Sequence, residues 1–215
     1  FADLWGRDLG LDSRQLYGQA GREGIYTLRV GYAEILRNLS EGASTPFLGS
    51  GGSLLTLPAG YPAADTTSMP LASTLQPIDL GYKYRRFDLG GTVVGGREWS
   101  YTLSFRHDER EGTKPTAGSF FSTASQFAAP VNEKTDQAEI GIAYAARRWQ
   151  ATLSYQFSSF RNDNAGVTWS NPFFPVVPGA TTGQLALAPD NQFQQLRGTA
   201  GYDISPTIRL TGELA

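Results

Sequence analysis

Residues 99 to 105 read Trp99, Ser100, Tyr101, Thr102, Leu103, Ser104, Phe105. Large apolar side chains alternate one for one with small polar ones. A period of two is that of a β-strand, whose successive side chains point to opposite faces, so this segment has one greasy face and one wet face. Residues 149 to 157 repeat the pattern, with Trp149, Ala151, Leu153, Tyr155 and Phe157 set against Gln150, Thr152, Ser154 and Gln156. Weaker copies alternate Tyr26, Leu28, Val30 and Tyr32 with Thr27, Arg29 and Gly31, and Ala138, Ile140, Ile142 and Tyr144 with Gln137, Glu139 and Gly141. Further along, Leu196, Ala200 and Tyr202 oppose Gln195, Arg197 and Thr199, and Ile208, Leu210 and Leu214 oppose Arg209, Thr211 and Glu213.

The connections alternate in length as regularly as the side chains alternate in polarity. Tight turns are predicted at Gly21 to Gly24, Gly95 to Glu98, Ala145 to Arg148 and Asp203 to Thr207. Between them lie long stretches rich in Gly, Pro, Ser and Thr, about 35 to 78, 112 to 130 and 163 to 190. There Pro46, Pro58, Pro62, Pro70, Pro115, Pro172, Pro175, Pro178 and Pro189 are expected to interrupt regular structure. Short turns on one side and long loops on the other are the threading of an outer-membrane β-barrel. Aromatic residues gather at the short-turn ends: Tyr26, Trp99, Tyr144, Trp149 and Tyr202. An interfacial girdle places them so, whereas the rival fold, a soluble antiparallel sandwich or propeller, has no reason to. The reading is therefore all-β, an antiparallel up-and-down transmembrane barrel of which residues 1–215 supply about nine strands, the first two near 3–9 and 14–20, with no helix.

Composition agrees. Hydrophobic residues are 40% of the chain and mean hydropathy is -0.29, too low for the run of about 20 apolar residues that a membrane-spanning helix requires. The 25 glycines and 12% aromatics suit two-faced strands. The absence of Cys excludes disulfides, thiolate metal sites and covalent haem attachment within these residues, so any haem belongs to a partner. His107 is the single His, which excludes a site built from several imidazoles. A net charge of -2, without a Lys/Arg-rich run, gives no signature for nucleic acid. Phe1 opens without an initiator Met or signal peptide, and Ala215 falls within an alternating segment. Both ends are thus expected to be truncations of one larger barrel domain.

Several motifs, in chain order, resemble the MtrB/PioB family, the outer-membrane barrels associated with decahaem c-type cytochromes. They are GRDLGL at Gly6 to Leu11, TPFLG at Thr45 to Gly49 and FRHDEREGTKP at Phe105 to Pro115, followed by WSNPF at Trp169 to Phe173 and LALAPDNQFQQL at Leu185 to Leu196. The last two are the most specific, and the chain lacks the periplasmic start where some members carry a cysteine pair. The resemblance implies a barrel of about 26 strands in the outer membrane of a Gram-negative bacterium. It also implies a job, sheathing a periplasmic multihaem c-type cytochrome as a transmembrane conduit for extracellular electron transfer, with an extracellular multihaem cytochrome as a further partner. Haem is expected in the partner and not on this chain.

Parity assigns to the lumen Arg29, Arg86, Asp88, Arg106, Asp108, Gln137, Glu139, Gln150, Thr152, Ser154, Gln156, Arg197, Arg209 and Glu213. These either contact the cytochrome or pair with one another across strands. His107, in a charged run, is either a metal or haem ligand with Asp108 or Glu109, or part of a solvated strand extension. The pair Asp190 and Asn191 either binds a cation or satisfies backbone donors at a loop foot. With no nucleophile beside a base, an enzyme is disfavoured, and the chief rival is a porin or substrate-specific channel sharing the same polar lumen.

Overall fold

The computed structural model describes residues 1–215. In chain order the strands are β1 (Ala2–Arg7), β2 (Gln15–Arg22), β3 (Tyr26–Thr45), β4 (Leu54–Leu55), β5 (Gln76–Gly95), β6 (Trp99–Phe120), β7 (Thr123–Ala145), β8 (Trp149–Asn162), β9 (Gly166–Ser170), β10 (Thr182–Ala186), β11 (Asn191–Ser205) and β12 (Ile208–Leu214). Nine form one sheet in the order β1-β2-β3-β5-β6-β7-β8-β11-β12, every neighbour antiparallel. This is the up-and-down meander expected, with β1 and β12 as open edges, so the sheet does not close within this chain.

The sheet is a single layer. Residues opposite one another in register share a face, and one such row on the apolar face runs Leu28, Gly91, Leu103, Ile140, Tyr155, Leu196. Leu103 is 50% exposed, Ile140 54% and Leu196 56%, because nothing packs on them. A soluble sandwich would cover this face with a second sheet about 10 Å away. A lipid-facing wall leaves it bare. In β8 the apolar side chains run from Trp149 to Phe157, matching the roughly 9–11 residues with which a tilted strand crosses the hydrocarbon.

Beyond that band, on the same face and away from the short turns, a row of charges crosses the strands: Glu34, Arg85, Glu109, Lys134 and Arg161. Arg14 and Arg85 both reach Glu34, at 2.8 and 3.5 Å, and Arg85 also reaches Glu109 and Glu111 at 3.1 and 3.2 Å. Arg161 pairs with Asp136 and Lys134 with Asp163. The apolar band thus ends in a belt whose charges neutralise one another.

Three expectations need correcting. The stretch 112 to 130 is not a long loop but the outer part of a hairpin, β6 paired with β7 without a break from Trp99 opposite Tyr144 to Phe120 opposite Thr123. Pro115 lies within β6 and Pro130 within β7. β5 pairs with β6 only as far as Thr113, and β8 with β7 only as far as Glu133. Past those points the outer edges of the hairpin are free, so a missing proline N–H costs no ladder bond. Secondly, the long connections hold structure of their own: a single helical turn, Leu71–Thr74, and a second sheet in the order β10-β9-β4. Thirdly, β3 and β5 run into the expected 35 to 78 loop, to Thr45 and from Gln76.

The buried core lies out here, not in the wall. It comprises Phe47, Leu55, Phe127, Ala129, Val167 and Trp169. The Trp169 indole stacks on Phe127 with ring centroids 4.4 Å apart and meets Phe120 edge-on at 5.7 Å. It also lies against Gly118 and Gly183 so closely that no Cβ fits at either position. Because the β6/β7 register is unbroken, Phe127 and Ala129 share a face with Gln137 and Glu139. The loop cap therefore folds onto the hairpin from the polar side of the wall.

Candidate functional site

All fourteen residues assigned by parity to the lumen lie on one face of the nine-stranded sheet. Arg29 stands opposite Gly90, Gly90 opposite Ser104, Ser104 opposite Glu139 and Glu139 opposite Gln156. One step outward, Asp88, Arg106 and Gln137 align, and one step further Arg86 meets Asp108. Toward the short turns Ser154 aligns with Arg197, and Thr152 with Thr199 and Glu213. Gln150 and Arg209 close the series, with Arg209 donating to Gln150 at 2.5 Å.

Nine of them are occupied within the wall. Arg86 pairs with Asp108 at 2.8 Å, and the Tyr84 hydroxyl donates to the same carboxylate at 2.6 Å. Arg106 pairs with Asp88 at 2.8 Å and Arg197 with Glu213 at 2.6 Å. Thr152 shares a hydrogen bond with Thr199 at 2.5 Å, and Arg209 bonds Gln150 and lies 3.7 Å from Asp203. The other five, Arg29, Gln137, Glu139, Ser154 and Gln156, have no side-chain partner.

Four of those five surround one feature. A trough of about 700 Å³ on the polar face is lined by Arg29, Gln137, Glu139 and Gln156, with Gly31, Gly90, Thr92 and Ser104 on its floor. Glycine and small hydroxyl residues keep the floor low, and charges of opposite sign stand on its rims. A second hollow, of about 560 Å³, opens on the same face between Gln150, Thr152, Thr199, Arg209 and Glu213. Both hollows lie on the polar side of the sheet.

His107 follows the second reading of the sequence, a half-exposed extension of β6 beyond the apolar band, and is ion-paired there. Its Nδ1 lies 2.6 Å from Asp136 Oδ1, and the other oxygen of Asp136 accepts from Arg161 at 3.0 Å. Register puts His107 in the row of Tyr32 and Phe87, on the apolar side, while Asp108 points the other way. No three His, Cys, Asp or Glu side chains converge there or elsewhere to hold a metal. The sequence signal that could have found Asp136 is strand pairing, since it lies 29 residues on. Asp190 accepts from the Asn162 backbone N–H at 2.8 Å, the backbone-satisfying alternative. In the connection between β1 and β2, Lys83 holds the Asp12 carboxyl below its ordinary range through a 2.7 Å contact. In the 46–75 loop, the hydroxyls and backbone N–H groups of Thr67 and Ser68 converge on Asp65 and hold its carboxyl down at about 2.

Comparison with known proteins gives two findings. A family described as "Putative outer membrane beta-barrel porin, MtrB/PioB" matches residues 1–215. The chain is 33% identical over 213 residues to "Outer membrane protein MtrB" of Shewanella baltica (strain OS185), which covers 96% of this chain and 31% of that protein. The chain therefore spans less than a third of the length of this relative.

Proposed function

This chain belongs to the MtrB/PioB family of outer-membrane β-barrels, and on that premise we propose that it is part of a barrel wall sheathing a periplasmic multihaem c-type cytochrome, through which electrons cross the outer membrane. The polar face is the lumenal one. The observation that carries this reading is the set of unpartnered groups around the trough, Arg29, Gln137, Glu139 and Gln156. A wall that only contained water would gain nothing from grouping its free polar groups over a low floor. A protein partner uses such a place, because small floor residues allow close approach and rim charges fix its register more than its affinity.

Size supports the same reading. Nine strands in 31% of the relative's length scale to roughly 29 strands, the upper range for single-chain barrels. At about 4.8 Å between strands tilted by about 40°, that is a backbone diameter of about 50–60 Å. A folded protein of one to a few hundred residues fits within it. The chain has no Cys with which to attach haem covalently, and its His107 is engaged on the apolar side. Its contribution is enclosure and orientation, without catalysis of its own. An extracellular multihaem cytochrome would meet the assembly at the loop cap.

The family description also names a porin, and an open or substrate-specific channel is the second reading. One experiment separates them. The full-length parent protein is purified and stained for haem, then placed in liposomes holding a redox dye, with and without the co-purified cytochrome. Haem in the purified complex, and dye reduction only with the cytochrome present, are the expected results. A stable haem-free barrel that conducts solutes selectively would establish the porin instead.

A further inference from the structure

The trough has a shape as well as a polarity. Its floor is made by β5 and β6, which lie side by side between β3 and β7. At the outward end the Arg106–Asp88 ion pair stands across both floor strands. From there to the short turn, the polar face carries only Gly90, Thr92 and Val94 on β5 and Ser104, Thr102 and Ser100 on β6. Nothing on this path is larger than Val, and it runs for about 20 Å at the rise of a β-strand. On its flanks stand Arg29 of β3 and Glu139 of β7, in one register row with Gly90 and Ser104 between them. Three strand spacings separate the two, about 14 Å at the backbone. Both are exposed, and neither forms an ion pair.

These dimensions fit one kind of element. An α-helix with its side chains is about 10–12 Å across, and about 13 residues of it span 20 Å. An extended segment is poorly suited, because β3, β5, β6 and β7 are each hydrogen-bonded on both sides and offer no free edge. Packed closely on this floor, an extended chain would lose water from its N–H and C=O groups and gain no partner for them. A helix satisfies its own.

We propose that the trough seats a single α-helix of the lumenal partner, lying along β5 and β6, with an acidic side chain toward Arg29 and a basic one toward Glu139. This seat rests on the sheath reading and names the element of the partner that the wall holds. The short floor residues let the helix approach closely, and the Arg106–Asp88 pair stops it at the outward end. At about 100° per residue, the acid and the base belong to helix positions two or five apart. A helix rolled by half a turn would bring like charges together, so the two flanks fix its roll.

The test uses the full-length protein with its co-purified cytochrome. A small diazirine-bearing amino acid is placed on the floor at Ser104 or at Gly90, where an added Cβ has no atom nearer than 3.8 Å. A third preparation carries it at Ser154, on the same face outside the trough. After irradiation, mass spectrometry identifies the captured residues of the cytochrome. Both floor positions are expected to capture one segment, at residues spaced three or four apart, as on one face of a helix. That segment carries an acid and a base two or five positions apart. Arg29→Glu and Glu139→Arg each weaken cytochrome retention roughly tenfold, since each sets like charges together, and Arg29→Lys keeps most of it. Capture from Ser154 with none from the floor overturns the seat and leaves the sheath standing. Floor captures at alternate residues, or scattered over several segments, overturn the helix, as does unchanged retention in both charge-reversed variants. If no cytochrome accompanies the purified barrel, the sheath reading fails and the seat fails with it.

Discussion

Neighbouring residues on one strand of this wall sit in two solvents. Ile140 belongs to the bare apolar row and Glu139 to the trough, one peptide bond away. An arginine placed at Ile140 puts its charge in hydrocarbon and costs about 2–4 kcal/mol, whereas Glu139→Arg exchanges one wet charge for another and costs far less. Urea titration of the full-length barrel carrying each variant measures the difference, and equal losses would mean that the facing is wrong. This level of detail was legible in the sequence because a period of two needs no knowledge of neighbours: alternation read strand by strand put all fourteen polar positions on one face of the sheet. Which of them are already satisfied was not legible. That depends on pairing across strands, as Arg106 with Asp88 and His107 with Asp136 illustrate.

Elements obeyed the same division. The strands inside the hydrocarbon were readable because lipid forces a clean alternation; the segments outside it face water on both sides and lose that signal. Hence the outer half of the β6/β7 hairpin, with its Pro115, reads as loop. The motifs that resemble the family are explained by what they build. Trp169 and Phe173 of WSNPF and Phe47 of TPFLG are buried, and Asn171 ties its loop by donating to the Ala180 carbonyl at 2.8 Å and accepting from Phe173 N–H at 2.9 Å. WSNPF and TPFLG thus build the cap core, where side chains meet in three dimensions, whereas FRHDEREGTKP lies within β6 and the end of LALAPDNQFQQL within β11. Trp169→Ala removes the ring at the centre of that core and should cost about 3–5 kcal/mol, confined to the cap. Limited proteolysis is expected to cut within residues 163–190 while the wall strands stay protected; protection of both would show that the cap does not depend on this ring. Sidedness follows from the same elements, since long loops of such barrels are extracellular and short turns periplasmic. Epitope tags near Ala64 and Gly179 should be reached by antibody on intact cells and a tag between Ala145 and Arg148 should not, and labelling of that turn without permeabilisation would reverse the orientation.

The whole molecule has a problem that neither residue nor element reveals. A barrel of this strand number is too wide for its own side chains to fill, and the polar face here holds only a single layer of them, nine of fourteen already spent on one another and the rest around an open trough. Left empty, such a lumen fills with water and leaks. In the sheath proposed above, a cytochrome would seal it through a packed and partly charged contact. Binding to the folded wall also stabilises it by mass action, by about 2.7 kcal/mol when the partner stands at a hundred times its dissociation constant. Deleting the cytochrome should therefore lower the amount of barrel in the outer membrane, and should raise the permeability measured per remaining barrel. Immunoblotting gives the first quantity, and sensitivity to a large antibiotic that the outer membrane normally excludes gives the second. If both stay at wild-type levels, the lumen is closed or occupied by something other than the cytochrome, and the sheath reading fails. If the barrel persists and passes small solutes whether or not the cytochrome is made, its physiological state is the open channel.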